Sequence, residues 1–152
     1  MAKSKFGVKF DGFTEMAARL DKLGGDLHKA TEKALEFIPE EVNPELHKAM
    51  APHRRTGKTE SSIVEEKVTW EGTKATIRVG FDISHNGLPS IFLMYGTPRH
   101  APGNQYGKGS GTNSGIKQDK KLFDAIYGSR IQKQIAEKQE KIFMDEIQKA
   151  MK

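Results

Sequence analysis

The stretch Val64-Glu65-Glu66-Lys67-Val68-Thr69-Trp70-Glu71-Gly72-Thr73-Lys74-Ala75-Thr76-Ile77-Arg78-Val79-Gly80-Phe81 is where the period of the chain changes. Ala75, Ile77, Val79 and Phe81 fall on one face and Lys74, Thr76 and Arg78 on the other, the two-residue repeat of a half-buried strand. Before them Val64, Val68 and Trp70 share a face that Glu66 interrupts. Glu71-Gly72-Thr73 between the two runs is a turn signal, so residues 62–82 read as a β-hairpin with one buried and one solvated face.

Toward the N-terminus the repeat lengthens. Phe13, Met16, Ala17, Leu20 and Leu23 recur at three- and four-residue steps, one face of a helix. Gly24-Gly25 ends it, because paired glycines take left-handed backbone angles freely. Asp26 is placed to cap a second, longer helix whose stripe runs Leu27, Ala30, Ala34, Phe37, Ile38, Val42, Leu46, Ala49 and Met50. That stripe passes through Pro39 and Pro44, each of which lacks the N–H a helix interior uses, so the helix is expected to be kinked or broken. Ahead of both helices, Phe6-Gly7-Val8-Lys9-Phe10 alternates like a short strand, and Asp11 is placed to cap the first of them.

Toward the C-terminus, Ile91-Phe92-Leu93-Met94-Tyr95 is an apolar run too short for its period to separate helix from strand. The segment Gly96 to Gly115 has little to bury, and residues 103–115 read as a flexible glycine-rich loop. Phe123, Tyr127, Ile131, Ile135, Ile142, Ile147 and Met151 then mark one C-terminal amphipathic helix. The expected fold is α+β: a small, mainly antiparallel sheet around the hairpin, packed with the long N-terminal helix and the C-terminal one, in a single domain over residues 1–152.

Composition narrows the chemistry. Cysteine is absent, which removes disulfides, thiolate nucleophiles and most structural zinc sites. The net charge of +5 arises from 25 basic and 20 acidic side chains that are mostly interspersed, a balance that permits contact with an acidic surface without arguing for one. No signal peptide and no membrane-spanning run is visible, so a product of the cytoplasm with no membrane partner is expected. Gly57-Lys58-Thr59 ends like a phosphate-binding loop, but Pro52 stands where its leading glycine belongs. None of the five histidines, His28, His47, His53, His85 and His100, pairs with another at metal-site spacing. His53 beside Arg54-Arg55, with His85 or His100 as a second proton carrier, is the sole candidate for a hydrolytic site, and no carboxylate sits at a telling spacing with them. Glu65 and Glu66, adjacent on a strand, point to opposite faces and read as solvent-side charges. No catalytic residue, metal, cofactor or small-molecule substrate is assigned.

In their order these features resemble the minor tail components of long-tailed bacteriophages, the tail-completion, neck or head–tail joining proteins. A short strand leads into helix at Val8-Lys9-Phe10-Asp11-Gly12-Phe13, and the long helix ends in Ala51-Pro52, then His53, Arg54 and Arg55 lead into Thr56-Gly57. Ser61-Ser62-Ile63 opens the hairpin, Arg78-Val79-Gly80 closes it, and an apolar run leads to Tyr95-Gly96-Thr97. The chain departs from the family at Met94, where an acidic residue is usual, and at residues 103–115, where a proline-phenylalanine step is usual.

The resemblance implies a non-catalytic virion protein, made in the host cytoplasm, that completes the tail and helps join it to the head. It implies a ring among other tail and connector proteins, with DNA passing through. Arg54, Arg55, Thr56 and Gly57 are then one assembly contact, and Tyr95, Gly96, Thr97 and Arg99 another, with Arg54, Arg55 and Lys58 available to face the DNA channel. The alternative is a nucleic-acid-binding protein of a phage or mobile element that uses the basic loop around Arg54-Arg55.

Overall fold

The computed structural model describes residues 3–8, 10–98 and 115–152. Arg99, His100 and all of the 103–115 loop except Gly115 lie outside the described residues. The fold is α+β. Its elements are β1 (Lys3–Phe6), α1 (Phe13–Lys22), α2 (Leu27–Glu36), α3 (Ile38–Met50), β2 (Thr69–Glu71), β3 (Lys74–Gly80), α4 (Leu88–Tyr95), α5 (Lys120–Tyr127) and α6 (Ser129–Ala150). Short 3-10 turns follow α3 and precede α4.

The sheet is antiparallel in the order β1-β3-β2, so the strand with the cleanest alternation is the central one. Thr69 pairs with Thr76 and Glu71 with Lys74 across a two-residue turn, and Gly72 there takes the left-handed φ of +64° that such a turn requires. The hairpin is shorter than its pattern suggests. β2 has three residues, and pairing resumes beyond it where Ile63 bridges Phe81 and Val64 N–H donates to the Gly80 carbonyl. From Ile63 to Thr69 is six steps and from Thr76 to Phe81 is five, so the register gains one extra residue between Ile63 and Thr69, the stretch in which Glu66 interrupts the apolar face. The second face of β3 is not fully solvated either: Lys74 is exposed, but Thr76 is 5% exposed beside the Thr69 hydroxyl.

The expected long helix is broken. α2 stops at Glu36 and α3 begins at Ile38, because Pro39 has no N–H to continue the ladder. Pro44 stays inside α3; it is exposed, as is Glu40 one turn earlier, so the carbonyl it leaves unbonded faces water. Asp26 caps α2 by accepting from the Lys29 amide at 2.9 Å, as expected. Asp11 does not cap α1; Gly12 occupies that position with φ +81° and no side-chain bond. The N-terminal strand ends at Phe6 rather than Phe10, since the Phe10 ring is drawn inward to meet Phe13 and Phe143 at 5.5 and 5.7 Å. Ile91–Tyr95 is helical, as part of α4.

The single C-terminal helix is in fact two. Gly128 divides α5 from α6, and a side chain there would come within 2.5 Å of the Asp124 carbonyl oxygen. α6 buries Ile131, Ile135, Gln139, Phe143 and Ile147, a strict four-residue repeat along about 33 Å of helix. Ile131 and Ile135 join the main core of α3, β3 and α5. Phe143 and Ile147 join a second cluster with Leu20, Ala30 and Ala34. Gln139 sits between them, and its amide donates to the Ala34 and Gly7 carbonyls at 3.0 and 3.2 Å.

Phe143 rather than Ile142 is therefore the anchor of the second core, being fully buried where its neighbour is half-buried. Phe143→Ala should cost about 3–5 kcal/mol in urea denaturation and Ile142→Ala about 1–2 kcal/mol.

Candidate assembly surface around the Arg54–Gly57 loop

α3 delivers the loop. After its last buried residue, Met50, a 3-10 turn over Ala51–His53 turns the chain outward, and residues 54–59 stand at the surface until a second 3-10 turn over Glu60–Ser62 returns it to the sheet. Gly57 has φ +76°, an angle that lets the loop reverse, and its carbonyl accepts from the Ser61 amide at 2.9 Å. Gly57-Lys58-Thr59 thus lies between two 3-10 turns and not between a strand and a helix, so the phosphate-loop geometry is not formed.

Arg54 is not a free cation. Its Nε and Nη2 donate to the two carboxylate oxygens of Glu60 at 2.6 and 2.7 Å, a forked pair. His47 Nδ1 approaches the same carboxylate at 2.9 Å. Hydrogen bonds from Arg54 and then His47 hold the Glu60 carboxyl at about 2, well below its ordinary range. Arg55, Thr56 and Lys58 are exposed, and among the described residues the Arg55 and Lys58 side chains meet no acidic partner. Glu60 is a residue that sequence reasoning missed; six positions from Arg54, it lacks a helical or strand spacing that would have flagged the pair.

The second predicted contact, Tyr95-Gly96-Thr97, ends α4. Gly96 has φ +73°, and a side chain there would meet the Ile116 carbonyl oxygen at 2.8 Å. Thr97 exchanges two bonds with Ile116, its amide donating to the Ile116 carbonyl at 2.8 Å and its hydroxyl accepting from the Ile116 amide at 2.7 Å. Tyr95 packs edge-on against Phe123 at 5.8 Å. Burial and a hydrogen bond with Tyr127 push its phenol above the usual range.

Asp119 joins the two contacts. Its carboxylate caps α5 by accepting from the Lys121 and Leu122 amides, its backbone N–H donates to the Leu93 carbonyl in α4 at 2.7 Å, and its Oδ2 lies 2.5 Å from His53 Nε2. Burial pushes this carboxyl upward, but the His53 bond and the two amides outweigh it and leave it below the ordinary value. The carboxylate that His53 lacks in sequence is therefore supplied from 66 residues away. His85 engages a different one, Asp82, at 2.9 Å. Among the described residues no three His, Asp or Glu side chains are arranged to hold a metal ion, and no helix is long and apolar enough to cross a membrane.

α4 itself breaks the usual rule for a surface helix. Leu88-Pro89-Ser90-Ile91-Phe92-Leu93-Met94-Tyr95 carries no charge, yet Ser90 and Met94 are its fully buried residues. Leu88, Phe92 and Tyr95, on one stripe, are 49, 42 and 48% exposed, and Ile116 beside them is 42% exposed. No protein-family model, curated protein or solved structure matches the chain.

Glu60 is held below its unfolded value, so it stabilises the fold above about 4.5, and that contribution is lost as pH falls through about 2. The urea midpoints of the parent chain and Glu60→Gln should differ at pH 7 and converge between pH 4.5 and 2. Asp119→Ala should cost about 1–2 kcal/mol through loss of the α5 cap, and Asp119→Asn, which can still cap, clearly less.

Proposed function

We propose that this chain is a non-catalytic virion protein that completes a bacteriophage tail and helps join it to the head, working as a subunit of a ring among tail and connector proteins. The observation that carries the reading is the bare apolar stripe of α4, Leu88, Phe92 and Tyr95, with Ile116 beside it. A charge-free helix with an open face is suited to burial against another protein. The loop over Arg54–Gly57 adjoins it through Asp119, so both expected contacts belong to one region. The order of sequence features shared with the tail-completion family supports the same reading.

The alternative, a nucleic-acid-binding protein, draws on Arg55 and Lys58, since Arg54 is already engaged by Glu60. Two cations are a small footprint for phosphate binding, because affinity scales with the phosphates neutralised. Passing DNA is compatible with the loop under the virion reading.

Deleting the gene from its phage or prophage and imaging the lysate tests the proposal. Full heads lying apart from tails, or tails of faulty length, are expected; normal infectious particles would overturn it, and steeply salt-dependent DNA binding would then favour the alternative. In a complementation assay Phe92→Asp should cost no more than about 1–2 kcal/mol of stability, leaving the chain folded, while the variant fails to enter particles.

A further inference from the structure

Where α2 meets α3, an open groove of about 490 Å³ faces the segment before β2. Its walls carry Glu36, Glu40, Glu65 and Glu66. On α3 the neighbouring Glu41 and Glu45 point the other way and pair with Lys138 and Arg130 of α6. Glu36, Glu40 and Glu65 have no cationic partner among the described residues. Three like charges on one groove repel one another until a counter-charge arrives.

Asn43 adds a buried acceptor behind the same wall. It lines the groove, is 8% exposed and donates through Nδ2 to the Val64 carbonyl at 3.3 Å. Its Oδ1 is the one buried side-chain nitrogen or oxygen among the described residues with no hydrogen-bond partner. Buried acceptors of that kind are rare in folded proteins because each forfeits its solvation. Here an acceptor belongs to a wall already rich in negative charge.

Matching charge stands next door. His47 is at the rim of the groove and touches Glu60, which holds Arg54, so the groove and the basic loop adjoin. Arg55 and Lys58 project from that loop, exposed. We propose that a second copy of this chain docks here, its Arg55 and Lys58 entering the groove of Glu36, Glu40 and Glu65. Because the two patches are neighbours on one surface, the contact is made twice about a two-fold axis, each loop in the other's groove. This two-fold pair is a contact apart from the head-to-tail contacts that close a ring, and as the partner of the loop it rests on the assembly reading. A nucleic acid fits less well, since the groove would repel its phosphates, and the carboxylates do not converge on a metal position.

The test is the solution mass of the full chain by light scattering and sedimentation, across concentration and salt. At low salt a species of twice the 17.0 kDa chain is expected, dissociating as salt rises. The pair Arg55→Glu with Lys58→Glu, and separately Glu40→Lys with Glu65→Lys, should each weaken association by about tenfold or more. Mixing the two reversed proteins, or combining all four changes in one chain, should restore it. Glu40→Gln with Glu65→Gln, a milder change, guards against loss of fold, which circular dichroism reports.

A parent chain that stays at the single-chain mass up to about 1 mM, the weak limit of useful affinity, overturns the pairing. So does a dimer that no charge reversal disturbs. The imaging of gene-deleted lysates reads the virion proposal separately: a charge-controlled dimer with normal particles upholds the pairing alone, and a monomer with separated heads and tails sinks the pairing alone.

Discussion

The packing of α3 on the inward face of β3 is the constraint on which the rest depends. A sheet whose three strands have four, three and seven residues cannot stand in water by itself. Ile77, Val79 and Phe81 are covered because Ile38, Val42, Leu46 and Met50 recur on one side of α3 and are completely or almost completely buried there. Once that stripe is committed inward, the other sides of α3 are fixed as well. Glu41 and Glu45 turn toward α6, where Lys138 and Arg130 meet them, and Glu40 turns toward open solvent. The break at Pro39 is part of the same solution, since it lets α2 leave the direction of α3 and pack with α1 and α6 in the second cluster.

A second junction, at Asp119, sets the surface. One carboxylate caps α5 and binds His53, and the same residue's amide reaches α4. The end of α3, the end of α4 and the start of α5 are thereby tied at a single residue. The loop after α3 and the turn after α4, far apart in sequence, become neighbours for this reason.

How much of this the sequence made legible depends on the range of the interactions involved. The alternation of Ala75, Ile77, Val79 and Phe81 is local and reads directly as β3. The Asp26 cap and the Gly24-Gly25 stop are equally local, and the Gly24 φ of +71° is the conformation a glycine stop implies. The extra residue between Ile63 and Thr69 was not legible, because a bulge depends on which partner residue lies across the ladder. The division at Gly128 was hidden for a related reason: Phe123 and Tyr127 continue the apolar spacing into Ile131, and the break rests on the close approach of Gly128 to the Asp124 carbonyl, which spacing does not show. Of the predicted contact residues, Arg55, Thr56 and Tyr95 are at the surface as a contact requires, Arg54 is diverted to Glu60, and Arg99 lies outside the described residues. Neither Glu60 nor Asp119 could have been chosen from spacing, since their partners are brought to them by α3 and by the closing of the chain.

The diversion of Arg54 bears on what the loop is for. With three free cations the loop could neutralise about three phosphates, and binding to duplex DNA would fall with a logarithmic salt slope of about −2.7. With Arg54 held by Glu60 the slope drops to about −1.8, too weak a grip to retain DNA on its own. The same ion pair has the opposite effect on protein contact. A forked arginine–carboxylate bond, steadied by His47, fixes the base of the loop and presents Arg55 and Lys58 from a defined position. Preorganised charge contributes more to recognition of a shaped acidic surface than to a sequence-blind polyanion, because less freedom is lost when the contact forms. The internal clamp therefore suits the proposed docking on protein better than it suits retention of DNA.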